Sequence, residues 1–162
     1  MYERQKKKGK GVCMGIRNII FRGKRVDNGE WCYGVPLVEG WSKTTYIASY
    51  EYSSLAFVQQ IEVDTETLGQ FTGLTDKNGK RIFEGDIVRV KGKETEENWQ
   101  DYDENGEVIF ENGAFLIKVA NIFNGKKYFS EVHCRYMTTA DWVEREVIGN
   151  VFENKELLGE NK

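Results

Sequence analysis

Apolar and polar positions alternate in short runs along this chain, and tight-turn residues separate the runs. Asn and Gly both tolerate positive φ, which a type I′ turn needs at its two central residues. An Asn-Gly pair between apolar runs is therefore the strongest short hairpin signal. Five such pairs occur: Asn28-Gly29, Asn78-Gly79, Asn105-Gly106, Asn112-Gly113 and Asn124-Gly125. The β-branched and aromatic runs around them predict strands over residues 17–26, 31–38, 44–49, 57–64, 107–110, 114–119, 127–129, 131–137 and 143–152. Helix is minor. Asp64-Thr65 is expected to cap one turn through Leu68, and Asn154 another through Leu158.

Residues 69–90, GQFTGLTDKNGKRIFEGDIVRV, hold the densest information. They combine the Asn78-Gly79 hairpin, a second turn at Gly85-Asp86 and an alternating strand. In that strand Val88 and Val90 face the core with Phe83 nearby, while Ile87, Arg89 and Lys91 fall on the opposite face, expected to be mostly wet. The pattern gives an all-β fold, an N-terminal β meander over residues 14–79 followed by a small SH3-like barrel over 80–152. Residues 1–13 read as a basic extension and 153–162 as a C-terminal tail.

Composition narrows the class. Hydrophobic content of 40% with 13% aromatics is that of a globular chain, and no apolar run approaches the ~18 residues a membrane span needs. Cys13, Cys32 and Cys134 are odd in number and far apart, which fits a reduced cytoplasm better than a disulfide framework. In residues 1–13 five cations against Glu3 give +4; with −3 for the whole chain, residues 14–162 carry −7. An acidic body argues against general affinity for phosphate backbones and is too interspersed with cations to mimic DNA. The basic start reads either as a nucleic-acid-binding arm or as translated leader. Lys10-Gly11-Val12 can be encoded by a ribosome-binding sequence shortly before the Met14 codon, so the natural start is expected at Met14.

The strings IFRGKR (20–25), residues 69–90, HCRYMTTADW (133–142) and EVIGNVFEN (146–154) resemble the YopX family of phage and prophage proteins. The resemblance spans most of residues 14–158 and implies a β-rich body with a C-terminal SH3-like barrel. It brings no assigned activity, so no catalytic residue is carried over. The basic start and part of the acidic stretch at 94–104 depart from the family pattern.

Candidate chemistry is sparse. His133 adjoins Cys134, but neighbours on one strand point to opposite faces and cannot share a proton. One histidine and dispersed cysteines supply too few ligands for a zinc site, and the acidic stretch lacks calcium-loop spacing. No catalytic residue, cofactor or metal is expected, and the chain does not read as an enzyme. Residues 91–106 read as an acidic hairpin loop whose Trp99 and Tyr102 are candidates for partner binding, with His133 and Arg135 on an outward strand face. Arg22, Lys24, Arg25, Lys77, Lys80, Arg81, Lys126 and Lys127 lie near strand ends, where lysines also keep edges soluble. Gathered on one side, they would make a nucleic-acid patch. Four Trp, eight Tyr and nine Phe exceed what two thin β cores bury, so some should face a partner. The expected partner is a second copy or a host or phage protein; nucleic acid is the alternative, and no membrane is expected.

Overall fold

The computed structural model describes residues 19–49, 59–92, 102–123, 126–133 and 143–159, nearly all of them β-strand. Strands β1 (Phe21–Arg25), β2 (Trp31–Val38), β3 (Thr45–Ser49) and β4 (Gln59–Thr75) form an antiparallel meander, and β5 (Arg81–Phe83) pairs with β4. β4 also returns to β1, with Phe21 opposite Gln70 and Arg25 opposite Val63. The four strands thus close into a ring of hydrogen-bonded pairs around Cys32, Ile47 and Val63, with Ile61 and Leu68 packed against them. The ring is narrow: a Cβ on Gly34 would run into the carbonyl oxygen of Ala48. Burial pushes the Cys32 thiol above its ordinary pKa, and Sγ donates to the Gly23 carbonyl at 3.5 Å.

Pro36, the single proline, lies inside β2. β1 pairs with β2 only as far as Gly34, and Pro36 stands opposite Ile47 of β3. At that point β2 is paired on one side only, the position where a missing N–H breaks no ladder bond.

The second sheet holds β6 (Asp86–Gly92), β7 (Tyr102–Glu111), β8 (Ala114–Phe123), β9 (Lys126–His133) and β10 (Val143–Asn150) in the antiparallel order β10-β6-β7-β8-β9. Alternation aims Val88, Val90, Val108, Ile117, Val119 and Val147 at one core, which Ile82 of β5 enters from the first sheet. Among the described residues the ring of pairings lies in the first sheet, and the second runs open from β10 to β9. One turn of 3-10 helix, Lys155–Leu158, follows, ending at left-handed Gly159.

Several local expectations are corrected. The turn of helix at 64–68 is strand: Asp64 Oδ1 accepts the Glu66 N–H at 3.0 Å, but the chain stays in β4 and bulges there. At the bulge the Lys24 N–H goes to Thr67 Oγ1 at 2.8 Å instead of to backbone. Asn105-Gly106 is not a hairpin turn but mid-β7, opposite Arg89 and Val88. The acidic stretch is strand through Gly92 and again from Tyr102, leaving 93–101 outside the described residues. Ile87 is fully buried rather than wet, since the C-terminal turn covers its face of the sheet, where Asn105 Nδ2 donates to the Leu157 carbonyl at 2.9 Å. Of the Asn-Gly pairs, Asn112-Gly113 has both φ angles positive, as type I′ requires. At Asn28-Gly29 and Asn78-Gly79 only the glycine does, and Asn124-Gly125 lies outside the described residues.

Candidate functional site

Of the basic residues near the strand ends, Arg22, Lys24 and Lys77 are drawn to the seam between the sheets. Arg22, on the β1 face turned toward β6, puts Nη1 2.6 Å from Asp86 Oδ1 and donates Nη2 to the Glu84 carbonyl at 3.2 Å. Its guanidinium lies 4.5 Å from the Trp31 ring centroid and 5.0 Å from that of Phe83. Asp86 Oδ2 accepts the Phe83 N–H at 2.8 Å. Burial pushes the Asp86 carboxyl up, against the pull of Arg22 and of that N–H. Two residues along β1, Lys24 Nζ is 2.6 Å from Glu153 Oε1, and with Asn150 it holds that carboxyl below its usual range. Arg25 is paired with Asp27 at 2.6 Å.

The hairpin between β4 and β5 makes a second tie. Asp76 Oδ1 accepts the N–H groups of Asn78 and Lys80, and Oδ2 reaches across to the Val147 N–H of β10 at 3.1 Å. Burial works against the Asp76 charge, but these three donors outweigh it and hold the carboxyl below its ordinary pKa. Lys77 donates its backbone N–H to the Arg145 carbonyl and sets Nζ 2.8 Å from Glu146. On the outer face of β6 and β7, Arg89 grips Asp103 through two 2.6 Å bonds, and with Lys91 it holds that carboxyl at about 2.

The remaining candidates do not converge. Lys80 and Arg81 are exposed, Arg81 lying 5.8 Å from the Phe71 ring centroid. Lys126 and Lys127 open β9 opposite Phe123 and Ile122; His133 closes it opposite Leu116, and Tyr102 opens β7 opposite Gly92. Trp99, Cys134 and Arg135 lie outside the described residues. Among the described residues no group of three or more His, Cys, Asp or Glu is placed to hold a metal ion, and no helix is long and apolar enough to cross a membrane.

What stands out instead is apolar surface that sequence reading passed over. The β2–β3 hairpin carries Trp41 at its tip, 100% exposed, with Val38 at 65% and Leu37 at 41%. Glu39 and Ser42 brace that turn with a 2.6 Å hydrogen bond, so the indole stands on an ordered loop. An open groove of 650 Å³ runs between β4 and the β7–β8 hairpin. Ile19, Phe71 and Gly73 line one wall and Phe110, Ala114 and Phe115 the other. Phe110 is 50% exposed and packs on Phe115 at 5.0 Å between ring centroids. The signal for Trp41 was present, an indole between Gly40 and Ser42 in a turn, but strand periodicity gives a turn residue no face.

Compared with known proteins, residues 20–159 match the family described as YopX protein. The chain belongs to the YopX family. No curated protein matches this YopX-family chain. Among solved structures it is similar to the crystal structure of protein EF1440 from Enterococcus faecalis, at 22% identity and a TM-score of 0.46 over 86% of this chain and 97% of that one. The YopX match takes in both sheets, the Trp41 hairpin and every groove residue except Ile19.

Proposed function

We propose that this YopX-family protein is a non-enzymatic interaction protein, phage- or prophage-encoded and working in the bacterial cytoplasm, whose exposed hairpin tip docks on another protein. The observation that carries the reading is the fully exposed Trp41 on a braced turn, flanked by Leu37 and Val38. An indole has only two side-chain torsions to order and buries roughly 200 Å² of surface, which makes it a strong anchor once covered. The pairing of Arg22, Lys24, Arg25 and Lys77 with carboxylates supports a protein partner over nucleic acid. The resemblance to phage and prophage proteins supports the source, and the dispersed cysteines support the compartment.

The test is capture from host lysate on the immobilised full chain, with and without nuclease, beside the Trp41→Ser variant, followed by titration of each partner in purified form. Partners that survive nuclease, bind when pure and are lost with Trp41→Ser are the expected result. Partners lost with nuclease favour a nucleic-acid-binding module instead. Identical capture by both chains overturns the role of the hairpin.

A further inference from the structure

We infer that Asn112-Gly113, the turn of the β7–β8 hairpin, is a site of spontaneous deamidation that loosens this hairpin and charges the rim of the aromatic groove. An Asn-Gly peptide holds both reacting groups within itself. The Gly113 nitrogen gives up its proton to hydroxide and attacks Asn112 Cγ, and the new C–N bond closes a succinimide. The Cγ–Nδ2 bond breaks, and Nδ2 takes a proton from water and leaves as ammonia. Water then opens the ring at either carbonyl, giving aspartate or isoaspartate. Solvent is the only co-reactant, and nothing is oxidised or reduced. The chain holds five Asn-Gly pairs of the same local chemistry, so the fold decides which of them reacts.

Solvent access does not separate the pairs in the described turns. Asn28, Asn78 and Asn112 are all exposed, and the space beside each following glycine is open. Hydrogen bonding does separate them. The Arg25 carbonyl holds the Gly29 N–H at 3.0 Å, and the Asn28 side chain is engaged by both the N–H and the carboxylate of Glu30. The Asp76 carbonyl holds the Gly79 N–H at 3.0 Å, and Asp76 Oδ1 takes the Asn78 N–H beside it. Asn105 donates Nδ2 to the Leu157 carbonyl from mid-β7, with β6 and β8 on either side. Among the described residues, neither the Gly113 N–H nor the Asn112 side chain makes a hydrogen bond. Rotation about the Asn112 Cα–C bond brings nitrogen and Cγ together, and neither group has a hydrogen bond to break first.

The two products act differently on the hairpin. Aspartate tolerates the left-handed φ of 51° at position 112 much as asparagine does. Isoaspartate routes the main chain through Cβ, which lengthens a loop whose type I′ geometry sets the pairing of Glu111 with Ala114. Gly113 and Ala114 belong to the groove wall with Phe110 and Phe115, so either product sets a new carboxylate at its rim.

Timed peptide mapping of the full chain in mildly alkaline buffer tests this, with electron-transfer fragmentation to tell isoaspartate from aspartate. The Asn112 peptide is expected to convert first, ahead of those bearing Asn28, Asn78 and Asn105. The same series in urea supplies the reference: with the fold gone, the four pairs should convert at similar rates. Asn112→Gly keeps a residue that accepts positive φ and removes the amide, so it should lose the early conversion. Aged wild type should unfold at lower urea than fresh protein, whereas Asn112→Gly aged over the same interval should not. Conversion led by Asn28, Asn78 or Asn105, or an order in the folded chain no different from that in urea, would overturn the site. Conversion of Asn112 to isoaspartate with an unchanged urea midpoint would overturn its effect on the hairpin.

Discussion

Arg22 Nη1 stands 2.6 Å from Asp86 Oδ1, both side chains more than nine-tenths buried, and this pair joins the first sheet to the second. Each partner has further bonds, Arg22 to the Glu84 carbonyl and Asp86 to the Phe83 N–H, although Arg22 Nε has no hydrogen-bond partner among the described residues. Removing one member strands the other charge away from water, which costs about 3–5 kcal/mol, whereas replacing both by apolar side chains is often tolerated. Asp86→Ala is therefore expected to lower stability by about 3–5 kcal/mol in urea denaturation. The double variant Arg22→Met/Asp86→Leu should lie closer to wild type than Asp86→Ala does. A double variant as unstable as the single one would show that the pair orients the sheets through its geometry and not through charge balance.

The same pairing bears on nucleic acid. A phosphate at Arg22 would have to displace Asp86 inside a dry seam, and at Lys24 and Lys77 it would compete with Glu153 and Glu146. Random DNA and RNA are expected to give no gel shift even at low salt, where backbone contacts are strongest. A shift that weakens steeply with added salt would revive the nucleic-acid reading and direct attention to the exposed Lys80 and Arg81.

Acid should act through Asp76 and Asp103. Asp103 falls from 3.8 to about 2 because Arg89 and then Lys91 hold its charged form, and Asp76 is lowered by its three backbone donors, although burial opposes them. A carboxyl whose folded pKa lies below its unfolded one stabilises the fold above the unfolded value. That stability is lost as pH falls through the folded value, here between 3.8 and about 2 for Asp103. Asp86 has the opposite sign: its raised pKa makes its contribution decline as pH rises through its folded value. Urea midpoints measured downward through that acid window should fall in wild type and fall less in Asp103→Asn. An equal fall in both chains would remove Asp103 from the account.

The fold was largely legible because its determinants are local. Alternation located β2, the start of β8 and the start of β10 to the residue, and Gly85-Asp86 was correctly read as the turn into β6. What escaped was set by long-range pairing. Asp64 does make the local turn bond expected of a cap, but pairing with β1 keeps β4 extended through it. The basic residues looked alike in the sequence. Only the approach of the sheets separates buried Arg22 from exposed Arg81. The hairpin tip and groove were illegible for a related reason: periodicity identifies what a strand buries, not what the ends of two sheets leave uncovered.

Gly106 offers the sharpest test of one corrected turn. In β7 it lies opposite Val119 and Val88, and a Cβ there would run into Ile117 Cγ2 while standing 3.0 Å from Val119 Cγ2. The glycine is needed for space on the core face, not for positive φ. Gly106→Ala should therefore destabilise by about 1–3 kcal/mol, the usual range for overpacking. Removing the obstructing methyl in Gly106→Ala/Ile117→Ala should cost less than the two single substitutions summed, a coupling expected only between residues in contact. Gly40→Ala, at an open position in the hairpin, serves as the comparison and should leave stability unchanged or slightly raised. If Gly106 instead occupied a turn with positive φ, the strain would be in its own backbone, and the Ile117 substitution would add its cost to that of Gly106→Ala rather than offset it.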